Sequence, residues 1–165
     1  MDPRYPIGMF DRLATPDREA SVAAIENLPA ELKAALWRLP PGGLDRPYRE
    51  GGWTGRQVVH HLADSHMNSQ LRFRFALTED NPAIKPYDEA AWAKLADAAT
   101  DDIETSLAII EGMHSRWTKL LRSLTGAQWK RTLVHPESGA WDLERLAGLY
   151  AWHGRHHVAH LKLIR

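Results

Sequence analysis

The chain contains no cysteine. Disulfides, thiolate metal ligands and a cysteine nucleophile are therefore excluded. Net charge is missing too, since 21 Lys and Arg balance 21 Asp and Glu. With no Lys/Arg-rich block, nothing marks a nucleic-acid interface or a field that steers charged partners. No apolar run approaches the length that spans a bilayer. The N-terminal "MDPRYPIGMFDRLATPDREA" has no basic stretch followed by an apolar one, so it does not read as a signal peptide. A cytoplasmic protein with no nucleic-acid or membrane partner is expected. Repeats, low-complexity tracts and convincing strand alternation are also absent.

What is present is a chain of 165 residues, 44% hydrophobic and 25% charged. That is one domain, residues 1–165, large enough to bury its own core. Apolar residues Val22, Ile25, Leu28, Leu32, Ala35 and Leu36 recur at helical spacing and predict a first helix over about Pro16–Arg38. Pro29 sits inside it, and a kink or break is expected there. A second helix has a clear start. Thr54 and Gln57 form a capping box, with Trp53 and Val58 placed as a hydrophobic staple. It should reach Thr78, a length of about 37 Å. "EDNPAIKPYDEAAW" reads as a long connection with one short helix near Asp88–Leu95. A third helix is expected over about Asp101–Leu124, with Ile103, Leu107, Ile110, His114, Trp117 and Leu121 on one stripe. "TGAQWKRTLVHPESGAW" reads as irregular. A fourth helix should start at its cap Asp142 and run to the C-terminus. The fold class is all-α, a four-helix bundle with short extra helices in the connections and its site facing inward.

Nine histidines are the distinctive content, and four fall in "HGRHHVAH", His153 to His160. Two i,i+4 pairs overlap there, His153 with His157 and His156 with His160. Either could chelate one ion. Chance alone gives about half of one such pair at this composition. Glu144, Arg155 and Lys162 mark the wet face of this helix, and all four histidines lie on the opposite arc or its flank. Buried imidazoles need partners, and a metal supplies them. Periodicity does not choose between the pairs. A third ligand is available from "VVHHLADSH" in the second helix, which holds His60, His61 and His66. His61 shares a polar stripe with Ser65, Asn68 and Arg72. His60 lies nearer an apolar arc, and His66 reads as separate and exposed. His114 and His135 are isolated and read as capping, surface or satisfied core residues.

Other chemistries find no support. Glu111-x-x-His114 is half of a di-iron signature without its second half. There is no H-E-x-x-H, no G-x-S-x-G and no P-loop. A nucleophile would have to come from outside, as water or a thiol cosubstrate.

"YPIG", "PYREGGWTGRQVVHHLADSHMNS", "RFRFALTEDNPAIKPYDEAAW", "SRWTKLLRSLT" and "LYAWHGRHHVAHL" together resemble the YfiT-like branch of the DinB superfamily. The resemblance covers nearly the whole chain. It implies a four-helix bundle, commonly a homodimer, that binds one divalent metal, Zn2+ or Ni2+, through three histidines. The implied ligands are His61 and an H-x3-H pair of the last helix, taken as His156 and His160. Arg155 stands where the family commonly has a histidine, at a position expected to face solvent. Family members were first labelled metal-dependent hydrolases, and relatives are S-transferases that use bacillithiol, a low-molecular-weight thiol. The resemblance therefore implies a metal-dependent S-transferase joining bacillithiol or a similar thiol to an electrophile. The alternatives are a hydrolase using metal-bound hydroxide, or a non-catalytic metal- or ligand-binding bundle. Three neutral imidazoles would leave the ion its full charge and an open position. Asp64, Asn68 and Arg72 are candidate supporting or substrate-contacting residues, with Asp64 suited to orient an imidazole. The connection Asp80–Trp92 is expected to wall the open side of the site.

Overall fold

The computed structural model describes residues 2–165. Its four long helices are α1 (Arg18–Trp37), α2 (Gly55–Thr78), α5 (Glu104–Ser123) and α7 (Leu143–Leu161). Between them lie the one-turn helices α3 (Glu89–Trp92), α4 (Ala96–Ala99) and α6 (Gly126–Trp129). Each long helix begins where its local chemistry dictates, except α5, whose N-cap Ile103 makes no side-chain cap bond. Asp17 accepts from the Ala20 amide at the start of α1, and Asp142 from the Arg145 amide at the start of α7. At α2 both halves of the Thr54–Gln57 capping box are made.

The bundle is an all-α four-helix bundle whose consecutive helices α1 and α2 are not neighbours. Both pack on α5 and on α7, which puts α1 and α2 on a diagonal. The connection between them therefore crosses the end of the bundle, through a 3-10 turn at Gly43–Asp45. One segment departs from expectation. Thr132–His135 (β1) and Gly139–Asp142 (β2) form a two-stranded antiparallel hairpin, with Leu133 opposite Trp141. The strands are four residues each, too short for alternation to show in the sequence. Leu133 and Trp141 are buried, so the hairpin closes one side of the bundle.

Pro29 does not break α1, which is helical throughout Arg18–Trp37. The proline removes one backbone donor, the one that would have met the Ile25 carbonyl four residues back. That carbonyl accepts from His114 Nδ1 instead, at 2.6 Å. A buried side chain thus satisfies the acceptor that proline leaves open.

The core falls into two apolar clusters. One gathers Ile25, Phe73, Trp117, Leu146 and Tyr150 with the hairpin residues. The other gathers Leu28, Leu32, Leu62, Ile110, Val158 and Leu161. Along α2, α5 and α7 the buried positions between the two clusters are taken largely by histidine: His66, His114, His156 and His157. A polar seam therefore crosses the middle of the bundle.

Candidate metal centre

His61, His153 and His157 each bring one ring nitrogen within 4.8 Å of the others. His61 comes from α2, and the other two sit one turn apart on α7. The capping box fixes where α2 starts, and so the angle at which His61 enters. His61 Nε2 and His153 Nε2 are 3.2 Å apart. Two nitrogens bound to one tetrahedral ion at about 2.05 Å each would lie about 3.3 Å apart, so this spacing fits a zinc-sized cation. The donor set is all imidazole, which suits zinc, nickel or copper and not magnesium or calcium.

Trp53 backs the group, with its ring 4.6 Å from His61 and 6.1 Å from His157. Burial, reinforced by His156 and His160, pushes the His61 pKa down to about 4. Burial also holds His153 and His157 well below the usual histidine range. At neutral pH all three are uncharged and have a lone pair to offer.

His156 and His160, the pair taken from the resemblance, do not join this group. Among the described residues no set of three ligand nitrogens within that reach includes either one. His160 Nε2 lies 3.3 Å from the Arg4 carbonyl, and its ring stacks on Tyr48 at 4.0 Å. His156 stacks on Trp152 at 4.4 Å, and its Nδ1 is buried without a partner. The two pairs differ by about 60° around the helix axis, at 100° per residue. That rotation turns His156 and His160 towards the N-terminal segment, and His153 and His157 towards α2.

His66 is also not where its sequence placed it. It is fully buried, with Nδ1 3.0 Å from His114 Nε2 and Nε2 3.1 Å from His153 Nδ1. His60 is buried away from the triad against Ser106, at 2.8 Å. Asp64 faces the side of α2 where Asp97 and Asp101 lie, and does not orient the triad. Asn68 donates back to the Asp64 carbonyl at 2.9 Å. Of the three supporting candidates only Arg72 borders the site. It donates to Tyr150 Oη at 3.1 Å.

Two cavities flank the triad. The first, about 480 Å³, is lined by all three histidines and by His156 and His160, together with Arg4, Arg49, Tyr5, Tyr48 and Trp53. The second, about 230 Å³, is lined by Arg72, Ser65, His135, Trp141, Leu149 and Tyr150 among others. His153 and Glu89 belong to both. Glu89 comes from the Asp80–Trp92 connection, which does wall the site at this one residue.

A profile described as the DinB superfamily matches residues 24–161. A relative from Bacillus subtilis (strain 168), which carries the provisional name of metal-dependent hydrolase YfiT, is 49% identical over 161 residues, 95% of this chain and 90% of its own. This chain belongs to the DinB superfamily, in its YfiT-like branch. A second relative of this branch, from Bacillus mycoides (strain KBAB4) and also provisionally named a metal-dependent hydrolase, is 50% identical over 99% of this chain and 96% of its own. The solved structure of Bacillus subtilis YfiT, described as a four-helix bundle of unusual topology, superposes with a TM-score of 0.92 at 48% identity over 98% of this chain and 95% of that one. The mycothiol-dependent maleylpyruvate isomerase shares the DinB fold at a TM-score of 0.70 and 14% identity, over 88% of this chain and 61% of that one.

Proposed function

We propose that this DinB-superfamily chain is a metal-dependent S-transferase. In this reading His61, His153 and His157 hold one divalent cation, Zn2+ or Ni2+. Bacillithiol or a similar thiol is joined to an electrophilic substrate. The observation that carries the reading is the pair of cavities meeting at His153 and Glu89. A transferase must seat two organic molecules on either side of one reacting centre, whereas hydrolysis needs room for one molecule and water. A cation held by three neutral imidazoles supplies undiminished positive charge, which favours the anionic form of a thiol or water beside it.

The chain's own residues divide the remaining work. Arg4 and Arg49 make the mouth of the larger cavity cationic, which suits an anionic thiol. Tyr5, Tyr48 and Trp53 give it aromatic walls. Leu149, Trp141 and Tyr150 give the smaller cavity an apolar body, and Arg72 gives it one fixed positive charge for an electrophile with an acidic or carbonyl group. Glu89, at the junction, can take or return a proton.

Zinc-loaded protein offered a chromogenic electrophile should turn over only when a low-molecular-weight thiol such as bacillithiol is added. The product should be the thioether. Turnover without thiol that releases a hydrolysis product would establish the hydrolase reading, which the names of the relatives favour.

No helix of the described residues is long and apolar enough to cross a membrane. The proposed assembly is a homodimer. Met67, Leu71 and Phe75 are exposed one turn apart along α2 and make an apolar stripe. Leu71→Glu should convert the dimer to a monomer in light scattering. An unchanged mass would move the interface elsewhere.

A further inference from the structure

We infer that two histidine relays, each ending on a backbone carbonyl, fix the tautomers of His153 and His157 so that both present an Nε2 lone pair to the cation. The inference rests on the metal-site reading above and assigns roles to His66, His114, His160 and Pro29.

The longer relay begins at Ile25. A carbonyl oxygen can only accept, so His114 Nδ1, at 2.6 Å, must carry the proton. A neutral imidazole has one donor and one acceptor. His114 Nε2 is then an acceptor, and the nitrogen 3.0 Å away, His66 Nδ1, must donate to it. That leaves His66 Nε2 as an acceptor for His153 Nδ1–H at 3.1 Å. With its proton on Nδ1, His153 turns a lone pair on Nε2 towards His61. Every assignment follows from the one before, and the first is forced by the carbonyl.

The shorter relay has the same logic. His160 Nε2 donates to the Arg4 carbonyl at 3.3 Å. Its Nδ1 then accepts from His157 Nδ1–H, also at 3.3 Å. His157 is left with its lone pair on Nε2. The distances are longer, so this relay is the weaker of the two.

Pro29 strengthens the first link of the longer relay by removing a competing donor to the Ile25 carbonyl. A residue with an N–H at that position would donate to the Ile25 carbonyl and complete the helical ladder. Proline keeps the carbonyl free for His114. A ligating histidine usually donates its second nitrogen to a carboxylate, a backbone carbonyl or water, which fixes its orientation. Here neutral histidines stand in that place and pass the carbonyl's demand across the bundle. The relays contain no carboxylate, so nothing in them offsets the charge of the cation.

The test is long-range proton–nitrogen NMR on protein labelled with 15N-histidine, in chelator at neutral pH. His66, His114, His153 and His157 should all be Nδ1–H tautomers, and His160 the Nε2–H tautomer. Finding His66 or His153 as Nε2–H overturns the longer relay. Because these tautomers are read without metal, that failure is separate from a failure of zinc to bind His61, His153 and His157. In the second arm, His114→Phe should lower zinc affinity about tenfold to a hundredfold and leave His66 and His153 as tautomer mixtures. Pro29→Ala, which keeps every histidine, should weaken the His114 Nδ1–H bond and lower zinc affinity a few-fold. Mixed tautomers with zinc affinity unchanged in Pro29→Ala would overturn the claim that the relay serves the ligand.

Discussion

His153→Ala should lower zinc affinity by more than about a hundredfold, beyond the ten- to hundredfold typical of losing a residue that merely supports a ligand. Three protein ligands are the minimum for a catalytic zinc site, and two cannot hold the ion against water and buffer. His61→Ala and His157→Ala should behave in the same way, since the three nitrogens form one group. His156→Ala should stay within about threefold of the parent, because His156 faces Trp152 and its Nδ1 meets nothing. His160→Ala falls between, about tenfold weaker, because it removes the partner of His157 Nδ1. Competition against a chromophoric chelator measures all five. Loss of binding in His156→Ala with retention in His153→Ala would restore the other pair and remove the geometric assignment altogether.

Residues at i and i+4 share a helix face, so the sequence of α7 offered two equally spaced pairs and no means to rank them. What separates them is a rotation of about 60°, set by neighbours far away in sequence. His160 meets Arg4 and Tyr48, and His153 meets His61 and His66. The resemblance implied His61 with His156 and His160, whereas the nitrogens that converge within 4.8 Å are those of His61, His153 and His157. The start of α2 was legible because a capping box is local chemistry written in four residues. The all-α bundle was legible because helical periodicity runs for twenty residues at a time. The hairpin was not, because four-residue strands carry too little pattern. His66 was misplaced for a related reason. Its helix is flanked on both sides, by α5 and by α7, so a position off the main apolar stripe is still interior. His114 did lie on the apolar stripe of α5, which was a fair sign of burial. Its bond to Ile25 across the bundle had no counterpart in either local sequence.

The same buried seam should make the chain acid-labile, with cooperative unfolding between about pH 4.5 and 6 in the presence of chelator. Burial lowers His61 and His114 to about 4 from a usual 6.5 and holds His66, His153 and His157 well down. The unfolded chain takes up protons near pH 6.5, while the fold resists them until the pH approaches 4. Stability is therefore full above about pH 6.5 and is lost as pH falls through that window. At pH 5 a histidine held near 4 costs about 2 kcal/mol. His61 and His114 together remove about 4 kcal/mol, and buried His66, His153 and His157 add to that loss, against a stability of about 5–15 kcal/mol for an ordinary domain. Zinc competes with protons for the lone pairs of His61, His153 and His157, so loading should move the midpoint to lower pH. Trp117 is a built-in reporter. It is fully buried, with ring centroids 5.8 Å from His66 and 5.6 Å from His114. Its fluorescence should shift to the red as the seam takes up protons and opens. Native emission retained at pH 4 in chelator would mean that the seam accepts charge within the fold, and the linkage between its protons and the bundle's stability would fail.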